Sequence, residues 1–365
     1  MQSAIVYSAM IISSTYFANR AKKSEKKIYL FCIILVLTFV CGCRAYSVGN
    51  DTKGYFDVYE SMIKTGINLY AEMEIGYEWL CRIILLAIPN PQAVFALVAF
   101  ITYMLVILRL WEFREIAEFD WVIPCFIVSF HFFIQSGMRQ GLALAVVFWS
   151  TRYLDRNRLF GYLIGIAIAS LLHKSAIAAF VNIFAVLPLW RKLDIKKQIF
   201  LLLCVAVIPI GVLTVMRHYT WERYQELFSG SFDIGMRVFI EIGFAVLSVI
   251  AFQFDACVDC KTQNKSLIGN KQKCAMSIEY RIKKVRLFYV VGLLIGNLGY
   301  ISSTLGRMQM YWYWYQPVFM GMLVKSRYNR TIFKCLVIIF MTFLCITSIA
   351  GNGYSQVPYL FFWQM

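Results

Sequence analysis

"IGYEWLCRIILLAI", residues 75–88, decides how this chain is threaded. The stretch is apolar enough to resemble a membrane span. At about 1.5 Å per residue, however, a helix of that length covers only about 20 Å of a hydrocarbon core about 30 Å thick. Tyr77, Leu80, Cys81, Ile84, Leu85 and Ile88 fall on one helical face, while Glu78 and Arg82 sit four apart on the other. The pattern predicts a short helix lying along the membrane interface.

Outward from this stretch the composition is that of an integral membrane protein: 60% of the 365 residues are hydrophobic, 15% are charged, and the mean hydropathy is +0.64. Apolar runs at 2–18, 28–43, 92–109, 121–135, 137–153, 159–173, 174–190, 198–216, 236–254, 287–305, 308–324 and 332–350 predict twelve transmembrane helices. Strands of alternating polarity are absent, which argues against a β-barrel. The expected fold class is therefore all-α and polytopic, with about twelve transmembrane helices plus the interfacial helix at 75–88. No basic residue precedes the first run and a basic block follows it, so it reads as a retained helix rather than a secretion signal.

Charge settles the threading. With 75–88 in the interface, the cytoplasmic segments 19–27, 109–120, 152–158, 191–197, 255–286 and 325–334 hold 26 of the 36 lysines and arginines. If 75–88 spanned instead, the blocks "RKLDIKK" and "RIKKVR" would face outward. The first arrangement makes residues 1–365 a single membrane domain with both ends outside. Its extracytoplasmic segments are 44–91, which includes the interfacial helix, 217–235, and the turn around Arg307. Residues 255–286 form a lysine-rich cytoplasmic linker without apolar periodicity. Topology thus accounts for the net charge of +16, and no nucleic-acid partner is needed. Cys257, Cys260 and Cys274 lack a fourth ligand or a nearby histidine, so neither metal nor cofactor is expected.

At the outer face this threading gathers groups that the positive-inside trend disfavours there: Arg44, Arg139 with Gln140, His173 with Lys174, and Arg307. Taken singly, each arginine suits snorkelling to headgroups. Together they suit a phosphorylated lipid, because guanidinium forks grip phosphate oxygens with paired charge-assisted bonds. The loop after Arg44 supplies Asp51, Asp57, Glu60, Glu72, Glu74 and Glu78. Asp51 follows a turn signal and Glu74 abuts the interfacial helix, so these two are best placed to face a site. His131 reads as a bonded core histidine. The rings of "MYWYWYQ" (310–316), Tyr311 among them, suit either sugar stacking or an interfacial belt.

The order "RAYSVGNDTKGYFDVYE", "EIGYEWL", "MRQGLALAVVFW", "YLDRNRLFGYLIGIAIASLLHKSAI", "GRMQMYWYW" resembles the EpsG-like, Wzy-type polymerases of bacterial exopolysaccharides and O antigens over about residues 28 to 325. The resemblance implies a GT-C-like glycosyltransferase of the bacterial inner membrane. Its active site would face the periplasm or cell exterior and join oligosaccharide units carried on undecaprenyl pyrophosphate. A chain-length regulator and a flippase would be its partners, besides membrane lipid. Arg139 and His173 match the family's arginine and histidine, Asp51 its loop aspartate, Glu74 and Tyr77 its Glu-x-Gly-Tyr element, and Arg307 its late arginine. This chain reads "GNDT" where the family usually has Gly-Thr-Asp. Arg139, helped by Arg44 or Arg307, would stabilise the departing pyrophosphate, and His173, Asp51 or Glu74 would serve as base. Two other functions fit parts of the pattern. One is an O-antigen-ligase-like transferase; the other is a transporter of lipid-linked sugars, for which Glu241 and Asn297 are the best mid-membrane groups.

Overall fold

In lipid, backbone polar groups have to be satisfied within the segment itself, and runs this apolar meet that demand as helices. The computed structural model describes residues 2–68, 73–186, 270–298, 307–326 and 330–365, and it is all-helical. The chain divides into two units: Met1–Ile177 with Met320–Lys325 and Thr331–Met365, and Ala178–Phe319 with Ser326–Arg330.

The first unit contains α1 (Gln2–Ser24), α2 (Ile28–Gly42), α3 (Thr52–Thr65), α4 (Ile75–Ala87), α5 (Pro91–Trp111), α6 (Phe119–Ser136), α7 (Met138–Asp155), α8 (Leu159–Leu172) and the helix Arg330–Gly351, which opens at the unit boundary. Local chemistry sets several of these boundaries. Asn90 caps α5 by accepting from the Gln92 N–H at 2.9 Å, with Pro91 at the first helical position. Packing is close where side chains are small. On α8, Gly165 lies so near Ser150 of α7 that a Cβ would overlap the serine hydroxyl. Outward faces stay apolar: Ile5, Phe31, Leu35, Ile168 and Ile339 are all exposed, as lipid-facing residues would be.

Among the described residues, Pro91–Trp111, Phe119–Ser136 and Arg330–Gly351 are long and apolar enough to cross a membrane, and Ile28–Gly42, Leu159–Leu172 and Lys174–Ile183 are shorter apolar helices. The chain is therefore a polytopic helical membrane protein in outline. The runs 198–216 and 236–254 lie outside the described residues. Three expectations change. The segment 44–91 holds a second helix, α3, whose buried Tyr55, Val58, Tyr59 and Met62 follow helical spacing within a polar stretch. Residues 174–186 wind as a 3₁₀ helix, Lys174–Val186. The linker 255–286 is helical from Asn270 onward, as the first half of Asn270–Leu298. Its lysines, glutamine, methionine and arginine favour a helix even without an apolar stripe.

Charged groups in the first unit gather toward the helix ends. At one end Lys22 pairs with Glu118 and Asp120, and the buried Arg109 reaches Glu112 and Asp155, each at 2.5 Å. The opposite end holds the carboxy terminus of α2, the amino terminus of α7 and the carboxy-terminal tail. There Arg44 departs from the expectation that it would face a ligand, because it is wholly buried. Its guanidinium donates to the Cys41 carbonyl, to Val48 O at 3.2 Å and to Thr52 Oγ1 at 3.3 Å, and lies 4.9 Å from the Phe95 ring centroid. A sequence run that ends a helix with an arginine cannot distinguish a snorkelling group from one folded back onto its own turn.

Because those acceptors lose their donor together, Arg44→Ala should destabilise the fold by about 1–3 kcal/mol and lower the amount of folded protein. Thermal unfolding in detergent measures this, and a stability equal to that of the parent protein would contradict the assignment.

Candidate functional site

Glu74 immediately precedes α4 in extended backbone, and its carboxylate does not cap its own helix. It turns instead toward two other helix ends. Oε2 accepts from Arg139 Nη1 at 2.7 Å, near the amino terminus of α7. Oε1 lies 2.9 Å from His173 Nδ1, just past the carboxy terminus of α8, and accepts from the Lys174 backbone N–H at 3.2 Å. The Glu74 side chain is 7% exposed, that of Arg139 14% and that of His173 23%, so the group is sheltered yet reachable at the imidazole.

Gly76 makes this meeting possible. A Cβ there would sit 2.7 Å from Leu171 Cβ and 2.8 Å from Leu171 O, so only glycine lets α4 come this close to the end of α8, two residues before His173. Tyr77 completes the element from inside: it is fully buried, with its hydroxyl 2.7 Å from that of Tyr59 on α3. Within Glu-Ile-Gly-Tyr one residue supplies charge, one clearance and one an anchor.

Arg139 is held from a second side by a residue that motif reasoning passed over. Its Nε donates to Tyr55 Oη at 3.3 Å, and the guanidinium carbon lies 5.8 Å from the Tyr55 ring centroid. Burial raises the pKa of the Tyr55 hydroxyl, so it is neutral at physiological pH. The only signal for it in the sequence was the spacing of Tyr55, Val58, Tyr59 and Met62.

Burial pushes the Glu74 carboxyl up. His173, the Lys174 N–H and the Arg139 charge outweigh that effect and hold it at about 2. A carboxylate so weakly basic is poorly suited to take a proton near neutrality.

The remaining expected residues fall into place unevenly. Gln140 is buried on α7 beside Arg139. The Lys174 side chain is exposed, so its contribution to the cluster is its backbone N–H. Asp51 is exposed at the start of α3, one turn before Tyr55, whose N–H donates to the Asp51 carbonyl at 3.1 Å. Arg307 and Tyr311 belong to the second unit, where Arg307 is exposed and Tyr311 buried. Tyr311 is only 3% exposed and its neighbours Trp312 to Tyr315 are also buried, so these rings are core residues here and not an open platform for sugars. His131 is a buried core histidine, its Nδ1 2.8 Å from Tyr103 Oη.

A helical membrane protein with an Arg–Glu–His cluster at one end of its bundle is thereby defined. The model of the EpsG family matches residues 27–361, nearly the whole chain, and the protein belongs to that family of polysaccharide-polymerase-type membrane proteins. No curated protein and no solved structure matches the chain.

Two outcomes follow from this geometry. Gly76→Ala should separate Glu74 from His173 and lower activity at least about tenfold while Gly54→Ala, which meets nothing within 4 Å, has no such effect; polymer yield from matched membrane preparations tests the pair. The depressed Glu74 carboxyl contributes stability that is complete above its ordinary value of 4.5 and is lost as the pH falls toward about 2. The stability advantage of the parent protein over Glu74→Gln should therefore shrink as the pH falls below about 4.5, as read by melting in detergent. An advantage undiminished as the pH approaches about 2 would refute the assigned shift.

Proposed function

We propose that the chain is a glycosyltransferase that polymerises oligosaccharide units carried on undecaprenyl pyrophosphate at the outer face of the cytoplasmic membrane. The observation that carries this reading is the Glu74 carboxylate, which joins Arg139 and His173 at sheltered ends of two different helices. The acceptor hydroxyl attacks the anomeric carbon of the donor glycan. The bond from that carbon to the pyrophosphate oxygen breaks, and the electron pair leaves with the pyrophosphate. Arg139 meets the charge that grows on the leaving group, aided by the positive end of α7. His173 accepts the hydroxyl proton, and Glu74 orients both partners. Asp51 is the other candidate base, reached through α3.

This scheme distinguishes Arg139 from a generic positive charge. Arg139→Ala would leave Glu74 without its partner in a sheltered site and confuse folding with function. Arg139→Lys keeps the charge and loses the fork. In a deletion strain complemented with Arg139→Lys, polymer yield should fall about a hundredfold at unchanged protein level, with lipid-linked single units accumulating. Sizing the lipid-linked glycans measures both, and a full ladder of repeat lengths from that variant would reject the reading. Transfer of preformed chains without a ladder would point to a ligase.

A further inference from the structure

The segment after the last long helix, Asn352–Met365, runs back across the end of the bundle that carries the cluster. It is shaped by its own side chains: Asn352 Nδ2 donates to Val357 O at 2.8 Å, the Val357 N–H donates to Asn352 Oδ1 at 2.9 Å, and the Tyr354 N–H donates to Gln356 Oε1 at 3.1 Å. Tyr359 anchors it, fully buried, with its hydroxyl donating to Val40 O and its N–H to Ser3 Oγ, both at 2.8 Å.

The segment then holds the turn that opens α3. Gly49 N–H donates to Ser355 O at 2.9 Å, Asn50 N–H to Tyr354 O at 3.2 Å, and Asn50 Nδ2 to Gly353 O at 2.9 Å. Further back, the Ala45 N–H donates to Leu360 O at 2.9 Å and the Phe362 N–H to Cys43 O at 3.0 Å. Gly49 has φ +103, and a Cβ there would stand 2.5 Å from Thr52 Oγ1, so this turn leaves little room for rearrangement. Only four residues separate Asn50 from Tyr55, and α3 touches Arg139 and the helix that Glu74 precedes. Tyr55 accepts from Arg139, and Tyr59 bonds Tyr77 on the helix that Glu74 precedes.

We propose that Asn352–Met365 is a positioning strap: it fixes the Gly49–Asn50 turn, and through Tyr55 on α3 it sets the placement of the Arg139 guanidinium. Asn352 and Tyr55 are positioning residues in this scheme. The catalytic part of the inference rests on the proposed glycosyl transfer; the mechanical part does not.

The test uses the full-length protein. Removing the strap altogether could unfold the bundle because Tyr359 is core, so the informative variant is Asn352→Gly. It keeps the left-handed backbone at this position (φ 43) and deletes both side-chain bonds that shape the loop. Hydrogen exchange in detergent should quicken about tenfold in residues 52–58, with the buried shaft of α5 unchanged. Polymer length in complemented cells should fall in Asn352→Gly and in Tyr55→Phe, and the double variant should be no worse than Tyr55→Phe alone. Unaltered exchange in 52–58, or an equal further loss in the double variant, would overturn the strap. If exchange quickens while polymer length holds, its link to Arg139 is overturned. A full ladder from Arg139→Lys would reject the transfer reading separately, leaving the exchange result to judge the strap alone.

Discussion

One carboxylate organises the bundle end. Glu74 offers an oxygen to each of two helix ends that the sequence separates by more than thirty residues, and both α7 and α8 would otherwise close on unbalanced groups. A cation near a helix amino terminus is electrostatically disfavoured, and the Glu74 charge offsets this for Arg139. The backbone N–H of Lys174 needs a partner as α8 gives way to the 3₁₀ helix, and Glu74 supplies that too. Desolvation cancels part of the attraction in a sheltered ion pair of this kind. Its value is geometric, because it admits only one relative placement of α4, α7 and α8.

Much of this was legible in the residues. Membrane class and the short helix at 75–88 followed from apolar runs and their lengths, and motif order singled out Arg139, Glu74 and His173, whose side chains meet in the structure. The observed α4 spans Ile75–Ala87. Other features were not legible because their signals are local where the cause is tertiary. Helix α3 lies in a stretch with few aliphatic residues, and its inward face is built from tyrosines that a loop reading treats as polar. The role of Gly76 depends on Leu171, about a hundred positions away, and no local pattern reveals that clearance.

Arg44 and Arg139 show the limit of reading by residue type. Both flank apolar helices at the same end of the unit, Arg44 after α2 and Arg139 at the start of α7. Arg44 finds carbonyls within its own turn and disappears into the core, whereas Arg139 finds a carboxylate and a phenol hydroxyl brought in by other elements. What separates them is whether the chain immediately following folds back, as 44–52 does, or continues straight into a helix, as 138–155 does. The rings near Tyr311 carry the same lesson: aromatic density at an expected interface became buried packing.

The cluster draws on positions 55, 74, 139 and 173, of which three lie within one turn of a helix terminus and none lies mid-shaft in an apolar run. The polar cluster and the apolar faces are therefore assigned to different lengths of the same rods. The long middles of α5, α6 and Arg330–Gly351 can drift in composition to suit thicker or thinner bilayers, at small cost per ångström of mismatch, without disturbing the polar rim. Such a protein can adapt to a new host membrane by changing its trunk while its crown stays the same.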